Sequence, residues 1–258
     1  MEKRAQLSIF VIIGFVIMVT SLLLLYTPEN QNPLQGLSGE SAAFRGFVES
    51  CMSQVGERAI YDTSLQGGYY RSPELSAQYF YIDVPYYWRN GTNYMPAKDQ
   101  LESELALYLF ENLNTGCLDD FTSFKEIGYN VSGAALNTVN EVSAIIRNGD
   151  VLFSIRHPIG FTKEDTTLAI SSFQAAVPID LKKAYDITGL ILQEQREYPH
   201  EIPLSFISLL AKEKNFTFGV MNYGDDEILY SMDFDIPFKE PLVYGFVSRY
   251  DWSELRHG

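Results

Sequence analysis

Residues 141–162 read EVSAIIRNGDVLFSIRHPIGFT, and this stretch decides the fold class. Apolar side chains alternate with polar ones on both sides of Asn148-Gly149, a pair that favours a tight turn between antiparallel strands. The stretch therefore predicts a β-hairpin. Residues 167–179 predict one further strand, and residues 216–236 together with 242–252 predict a three-stranded meander.

Helical periodicity surrounds these strands. Apolar side chains recur at three- and four-residue steps in four stretches: residues 41–66, 99–114, 180–197 and 204–214. Gly67-Gly68 is typical of the end of the first helix, and Asp99 with Glu102 has the spacing of a capping box at the start of the second. The whole pattern predicts an α+β domain of antiparallel hairpins and a meander packed with about four helices.

The N-terminal region predicts a membrane anchor. Residues 7–26 carry no charged side chain, and a helix of that length is about 30 Å long, the thickness of a bilayer's hydrocarbon core. No small-x-small cleavage site follows, so we expect a retained transmembrane helix over residues 6–26. Lys3 and Arg4 precede it, which places residues 1–5 in the cytoplasm and the rest of the chain outside.

The next residues predict a linker. Pro28, Pro33, Gly36 and Gly39 interrupt any continuing helix, so residues 27–40 are expected to connect the anchor to an extracytoplasmic domain over residues 41–258.

Charge limits the class of partner. Asp and Glu number 33 against 19 Lys and Arg, which gives a formal net charge of −14. Nucleic acids are poor partners for such a chain, because binding them requires basic side chains that neutralise phosphates. The expected partners are the membrane, through the N-terminal helix, and other envelope proteins or glycans.

Two kinds of covalent modification are predicted on the outer side. Cys51 and Cys117 are the two cysteines, and an oxidising exterior favours one disulfide joining the first outer helix to the end of the second, with two buried thiols as the alternative. Three sequons are candidates for glycosylation, at Asn90, Asn130 and Asn215.

Residues 67–96 contain nine aromatic side chains. Within them, Arg89-Asn90-Gly91 predicts a hairpin turn. Tyr86, Tyr87 and Trp88 form a candidate aromatic binding patch for glycans or another envelope protein. The alternative, which we favour for most of these side chains, is that they fill the core.

The sequence predicts no catalytic residue, cofactor site or metal site. His157, His200 and His257 lack the spacing of metal ligands, and no G-x-S-x-G motif or phosphate-binding glycine loop occurs. A triad that uses His157 or His200 stays open, since triads assemble across distant parts of a chain.

Residues 3–10, KRAQLSIF, resemble the leader of archaeal class III signal peptides found in type IV pilin-like proteins. The resemblance covers about the first 25 residues and implies cleavage between Ala5 and Gln6. Phe10 departs from it, because the fifth residue of the mature helix is often acidic in that group. The outer sequence, with VPYYW, YPHEIPLS and FVSRYDW, resembles a group of archaeal single-pass membrane proteins. This second resemblance implies a topology and no activity.

Three functions follow as hypotheses. The first is a membrane-anchored protein of the cell envelope that acts by binding or assembly, without catalysis. The alternatives are a pilin-like subunit of a surface filament and a membrane-tethered hydrolase.

Overall fold

The computed structural model describes residues 33–116, 118, 121–164, 166–224 and 226–252. The chain divides into two compact units, residues 1–44 and 45–258, and residues 33–44 are the described part of the first. None of the described helices is both long and apolar enough to cross a membrane. The predicted span over residues 6–26 lies outside the described residues.

Runs of mostly antiparallel strands are separated by single helices or pairs of helices, which confirms the predicted α+β class. The α-helices are α1 Pro33–Leu65, α2 Lys98–Gly116, α3 Thr122–Glu126, α4 Leu181–Glu197 and α5 Leu204–Lys214. The strands are β1 Ser76–Tyr79, β2 Ile82–Arg89, β3 Thr92–Asn93, β4 Asn130–Ser132, β5 Val142–Ile146, β6 Val151–Ile155, β7 Ile159–Lys163, β8 Thr166–Ile170, β9 Phe173–Val177, β10 Thr217–Asn222, β11 Glu227–Phe234 and β12 Leu242–Arg249. A 3₁₀ turn, Val139–Glu141, precedes β5.

Helix α1 starts earlier than predicted. It begins at Pro33, so residues 33–40 of the expected linker are helical. Proline fits the first turn of a helix, where its missing N–H is not needed, and the two linker glycines do not interrupt the turns that follow. The predicted end is confirmed: Gly67 and Gly68 have φ values of 55° and 82°, and the Gly68 N–H donates to the Thr63 carbonyl at 2.7 Å.

The largest sheet has the order β1-β2-β12-β11-β10, with β3 also paired to β2. The meander β10-β11-β12 and the Asn90-Gly91 turn between β2 and β3 are confirmed. The pairing of β2 with β12 is parallel, whereas antiparallel hairpins were expected throughout. Sequence patterns did not show it because these strands are far apart in the chain.

Both faces of the inner strands β2, β12 and β11 of this sheet are buried. One face carries Tyr87, Tyr230 and Phe246, whose rings stack in series with centroids 5.2 and 4.9 Å apart. The other face carries a separate apolar cluster that includes Val84, Tyr86, Leu229 and Val247.

The sheet is also strongly coiled. Four strand spacings would keep β1 and β10 about 19 Å apart in a flat sheet. Instead the Tyr79 hydroxyl of β1 lies 3.2 Å from the Met221 sulfur of β10, and the Tyr223 hydroxyl donates to the Gln78 carbonyl. The two edge strands therefore approach each other, and the Val84 cluster fills the inside of the curl.

A second sheet, β5-β6-β9, contains the predicted hairpin. Val142 pairs with Ile155 and Ile146 pairs with Val151, as the alternation predicts. Helix α2 packs along the edge strand β5. Glu102 was expected to cap its own helix. Instead its carboxylate accepts hydrogen bonds from the Ile146 N–H at 2.8 Å and from the Lys98 ammonium at 2.6 Å.

At the opposite edge of this sheet, the Glu49 carboxylate of α1 accepts the Gln174 N–H of β9 at 3.2 Å. The Arg45 guanidinium donates to the Ser172 carbonyl at 2.8 Å, just before β9. Side chains from two helices thus bind backbone groups at both edges of the sheet.

The third sheet has the order β4-β7-β8. The single strand predicted over residues 167–179 is wrong, because β8 belongs to this sheet and β9 to the β5-β6-β9 sheet. Ser171 and Ser172, between them, are exposed and let the chain change sheets.

The two predicted C-terminal helices are confirmed as α4 and α5, with Asp180 as the N-cap of α4. The Gln195 side chain lies at the end of α4 and accepts from the Tyr250 hydroxyl, while its amide donates to the Tyr198 and Glu201 carbonyls at 3.1 Å. The segment after β12 is thereby tied to the turn between α4 and α5.

Candidate functional site

The candidate patch of Tyr86, Tyr87 and Trp88 is buried, so this prediction is wrong as a solvent-facing surface. The exposed fractions of these side chains are 9%, 0% and 2%. They lie on β2, which is flanked by β1 and β12 in a sheet covered on both faces. A strand that is buried on both faces has a continuous run of apolar side chains. The sequence alone does not distinguish such a run from an exposed aromatic patch. The alternative, that these aromatic side chains fill the core, holds.

Hydrogen bonds hold the buried tyrosines in the core. The Tyr87 hydroxyl lies 2.8 Å from the Tyr244 hydroxyl and also donates to the Gly67 carbonyl. Burial raises the pKa of both hydroxyls well above the ordinary value, so they stay neutral. Burial likewise raises the pKa of Tyr250 to about 12.

Exposed aromatic side chains occur at one end of the large sheet. Phe80 and Tyr81 form the turn between β1 and β2, with exposed fractions of 76% and 99%, and Phe238 in the loop between β11 and β12 is fully exposed. Strands β2 and β12 are parallel neighbours, so the turn before β2 and the loop before β12 lie at the same end. We name Phe80, Tyr81 and Phe238 the aromatic end.

Phe80 and Phe238 both occupy turn positions that favour other residue types. Phe80 has φ 51° in a two-residue hairpin turn, where glycine or asparagine is favoured. Phe238 has φ 63° and follows Pro237 in a turn closed by the Lys239 N–H and the Ile236 carbonyl at 3.1 Å. That is a type II position, which also favours glycine. Each costs about 1–2 kcal/mol in this conformation, and neither side chain is buried in return.

The aromatic end is held in place by neighbouring elements. The Lys239 ammonium contacts the Glu57 carboxylate at 2.6 Å, and the Tyr61 hydroxyl donates to the Glu240 carbonyl at 2.8 Å, so helix α1 fixes the Phe238 loop twice. The Tyr79 ring packs edge-on against Phe80, with centroids 4.8 Å apart.

Acidic side chains flank the aromatic end. Asp83 follows the first turn, and the exposed Asp235 and Glu240 lie in the loop that carries Phe238. Lys239 is the basic residue of these two segments, and its charge is paired with Glu57. The surface is therefore apolar at its centre and negative at its border.

Within the part of the chain that the structure describes, residues of α4 and α5 line clefts away from the aromatic end. One, of about 360 Å³, is lined by three lysines, two aspartates, Asn148 and two apolar side chains, and its Lys182 is paired with its Asp186. The other, of about 260 Å³, is lined by Glu194, Glu201 and the start of α5.

His157 and His200 make structural contacts, and His257 lies outside the described residues. His157 is buried, with Nε2 donating to the Gly133 carbonyl at 2.7 Å and Nδ1 3.2 Å from the Glu141 carboxylate. The Nε2 atom therefore binds a backbone carbonyl, whereas in a catalytic triad this nitrogen would bind a serine hydroxyl. His200 donates from Nδ1 to the Asp251 carbonyl at 2.9 Å. Within the described residues, no three His, Cys, Asp or Glu side chains are placed to hold a metal ion.

The predicted modification sites are partly described. Asn90, Asn130 and Asn215 are exposed, as glycosylation requires, and their glycosylation stays a prediction. Cys51 is buried on α1, and Cys117 lies outside the described residues.

Aromatic contacts next to these two cysteines bring their chain segments together. The Phe47 ring, one turn before Cys51, lies 5.6 and 5.3 Å from the rings of Phe121 and Phe124, which follow Cys117 closely in the chain. The disulfide stays a prediction.

The predicted leader site at Ala5 and Gln6 also lies outside the described residues. No protein-family model, curated protein or solved structure matches the chain.

The aromatic end was missed in the sequence. Phe80 and Tyr81 were counted among the nine aromatic side chains of residues 67–96, and Phe238 was not singled out. Pro237 before an aromatic residue, between two predicted strands, was the available signal of a turn that presents Phe238.

Proposed function

We propose that the protein is a membrane-anchored, extracytoplasmic protein of the cell envelope that acts by binding, through the aromatic end. In this proposal residues 6–26 form a single span and the α+β unit lies outside. The uncharged run before Tyr26 and the basic residues Lys3 and Arg4 support this topology.

One observation carries the binding function. Phe80 and Phe238 occupy left-handed turn positions that favour glycine, and both are exposed. Residues that cost folding energy and add nothing to the core are typical of functional surfaces. Three exposed aromatic side chains on supported loops fit the central contact of an interface, where aromatic residues dominate the binding energy.

Topology is tested by fractionation of cells that produce the full chain. We expect the protein to stay in membranes washed with carbonate and to be digested by protease added outside intact cells. Recovery in the soluble fraction would contradict the anchor. Intact-mass analysis of the same sample shows whether the chain begins at Met1 or Gln6.

Binding is tested by a photo-crosslinking amino acid in the full chain. Placed at Tyr81 in intact membranes, it should give a discrete adduct after illumination. Tyr198, half exposed at the far turn between α4 and α5, is the matched control position and should give none. Absence of an adduct at Tyr81 would contradict the binding function.

A second candidate, the pilin-like filament subunit, gains support from the early start of α1. The helix begins at Pro33 and continues to Leu65 through the predicted linker, whereas the sequence favoured a break there. Electron microscopy of material sheared from the cell surface tests it. Filaments composed of this chain would establish the filament role.

A further inference from the structure

The two outer strands of the large sheet lack charged side chains of their own. They are β1, Ser76–Tyr79, and β10, Thr217–Asn222, and neither contains a charged residue. Proteins commonly protect edge strands from pairing with charged side chains, as Glu102 and Glu49 do at the β5-β6-β9 sheet. The edges of the large sheet are not protected in this way.

The register shows which backbone groups of β10 face outward. The Tyr223 N–H donates to the Glu227 carbonyl at 2.9 Å, and hydrogen-bonded pairs alternate with non-bonded pairs along an antiparallel ladder. Phe218, Val220 and Asn222 are therefore in non-bonded pairs, and their N–H and carbonyl groups point away from β11. Among the residues that the structure describes, no partner binds these groups.

Strand β1 presents backbone groups from the opposite side. The Leu75 carbonyl accepts the Tyr86 N–H at 3.0 Å, which makes this a hydrogen-bonded pair. By the same alternation, the N–H and carbonyl groups of Ser76 and Gln78 point away from β2. The Gln78 carbonyl accepts the Tyr223 hydroxyl, as this direction requires.

The gap between the two edges is about one strand wide where Tyr223 crosses it. Tyr223 directly follows β10, and its side chain alone reaches the backbone of β1. A tyrosine side chain with its hydrogen bond spans about 10 Å at most, which is two strand spacings of about 4.8 Å. One strand placed in this gap would lie at pairing distance from both edges. We name the gap between β1 and β10 the seam.

The inner side of the seam is apolar. Met221 pairs with Leu229, a member of the apolar cluster inside the curl, so Met221 faces into the curl. Gly219 faces the same way, and Ala77 of β1 belongs to that cluster. Both are small, so their side chains do not fill the seam. Met221 is 49% exposed and Tyr223 is 40% exposed, so the seam is open to solvent.

The width of the seam selects its occupant. A second copy that paired through its own β10 would bring its β11 into the position that β1 already holds. A single extended segment has no second strand and fits. Its backbone pairs with the edges, as in other complexes in which a peptide adds a strand to a sheet. Its inward side chains must be uncharged, because a charge there would be buried without a partner.

We infer that the seam accepts an uncharged, extended segment of another protein, with alternating apolar side chains, as an added strand between β10 and β1. The segment displaces Tyr223 from the Gln78 carbonyl and pairs with the outward groups of Phe218, Val220 and Asn222. It closes the curled sheet and so removes both free edges. This inference goes beyond the proposed function, because the seam is a different surface from the aromatic end.

A strand fused to the full chain tests the seam. Six residues of alternating threonine and valine, joined to the C-terminus by a flexible linker, have an effective concentration in the millimolar range. In detergent, hydrogen exchange at Phe218, Val220 and Asn222 should be at least about tenfold slower than in the unfused chain, as when ligand is about ten times Kd. The same fusion with prolines in place of the valines cannot pair as a central strand, so it should show no slowing.

Val220→Pro separates pairing from folding. The Val220 N–H faces away from β11, so proline there removes a group that the fold does not use. It should return exchange at Asn222 in the fusion to within about twofold of the unfused chain, whereas Val220→Thr keeps the N–H and should preserve the slowing. Unslowed exchange in the threonine-valine fusion would overturn the inference, and so would equal slowing in the proline control, which leaves the host chain unaltered.

Native membranes test the partner. A photo-crosslinking residue at the exposed Asn222 should give an adduct with another protein, reduced about tenfold by Val220→Pro and unchanged by Val220→Thr. An adduct of two copies of this chain would overturn the assigned occupant. Absence of any adduct at Asn222 would overturn the inference and leave the binding function to the separate result at Tyr81.

Discussion

Gly56→Ala should destabilise the protein, although alanine is the better helix former. Gly56 lies on α1 against the buried strand β6, and a Cβ atom there would be 2.6 Å from Cε2 and 2.7 Å from Cδ2 of Phe153. Phe153 is fully buried, so it cannot rotate away without displacing its neighbours. Overpacking of this kind costs about 1–3 kcal/mol, against a gain of about 1 kcal/mol in helix propensity.

Both Cβ distances are far below a normal contact and Phe153 is fully buried, so the upper part of this range, about 2–3 kcal/mol, applies. The net expectation is therefore a loss of about 1–2 kcal/mol, which lowers Tm by about 2–8 °C in a domain of this size. Gly189→Ala is the matched control, because Gly189 is inside α4 and a Cβ atom there meets nothing within 4 Å. It should raise Tm by about 1–4 °C through propensity alone.

Tryptophan fluorescence of the detergent-solubilised chain follows the melt, since Trp88 is 2% exposed and reports on the core. We expect Gly56→Ala to lower Tm and Gly189→Ala to raise it. A Gly56→Ala protein that melts at or above the wild-type temperature would refute the close packing of α1 on β6.

Three further predictions concern other contacts. Thiol labelling of the denatured, unreduced protein should find Cys51 and Cys117 blocked, and two labelled thiols would refute the disulfide. Glu102→Ala should cost about 1–3 kcal/mol in a urea melt, because it leaves a buried N–H unpaired, whereas Glu49→Ala should cost less than about 1 kcal/mol at an exposed N–H. A smaller loss for Glu102→Ala than for Glu49→Ala would contradict the edge contacts. Because Tyr250 has a pKa of about 12, the unfolded chain releases its proton first, so the free energy of unfolding should fall as pH rises from about 10 towards 12. Tyr250→Phe should reduce that slope, and an unchanged slope would count against the buried hydroxyl.

The sequence predicted correctly those turns and helices that depend only on neighbouring residues. The alternation around Asn148-Gly149 gave the β5-β6 hairpin with its pairing, and Asp180 gave the start of α4, because both depend on neighbouring residues. The helix over residues 204–214 was predicted with its bounds, since prolines precede it and its apolar repeat is short and regular.

Non-local features could not be read in the same way. The parallel pairing of β2 with β12 joins strands far apart in the chain, and it is what buries both faces of β2. Without it, Tyr86 to Trp88 resembles an exposed aromatic run. The aromatic end depends on the same pairing, because the turn at Phe80 and the loop at Phe238 share one end of the sheet through it.

The Lys98 and Glu102 pair at the edge of β5 has a consequence for aggregation. The Glu102 carboxylate accepts the Ile146 N–H, and the Lys98 ammonium lies 3.4 Å from the Ile146 carbonyl, so the pair occupies both backbone groups that Ile146 would offer to a neighbouring strand. At the other edge, Glu49 holds the Gln174 N–H. An incoming strand must displace a charged side chain at either edge, which disfavours β-augmentation and amyloid-like growth from this sheet. Growth by strand addition is thereby opposed at this sheet, even where many copies of the chain are crowded together.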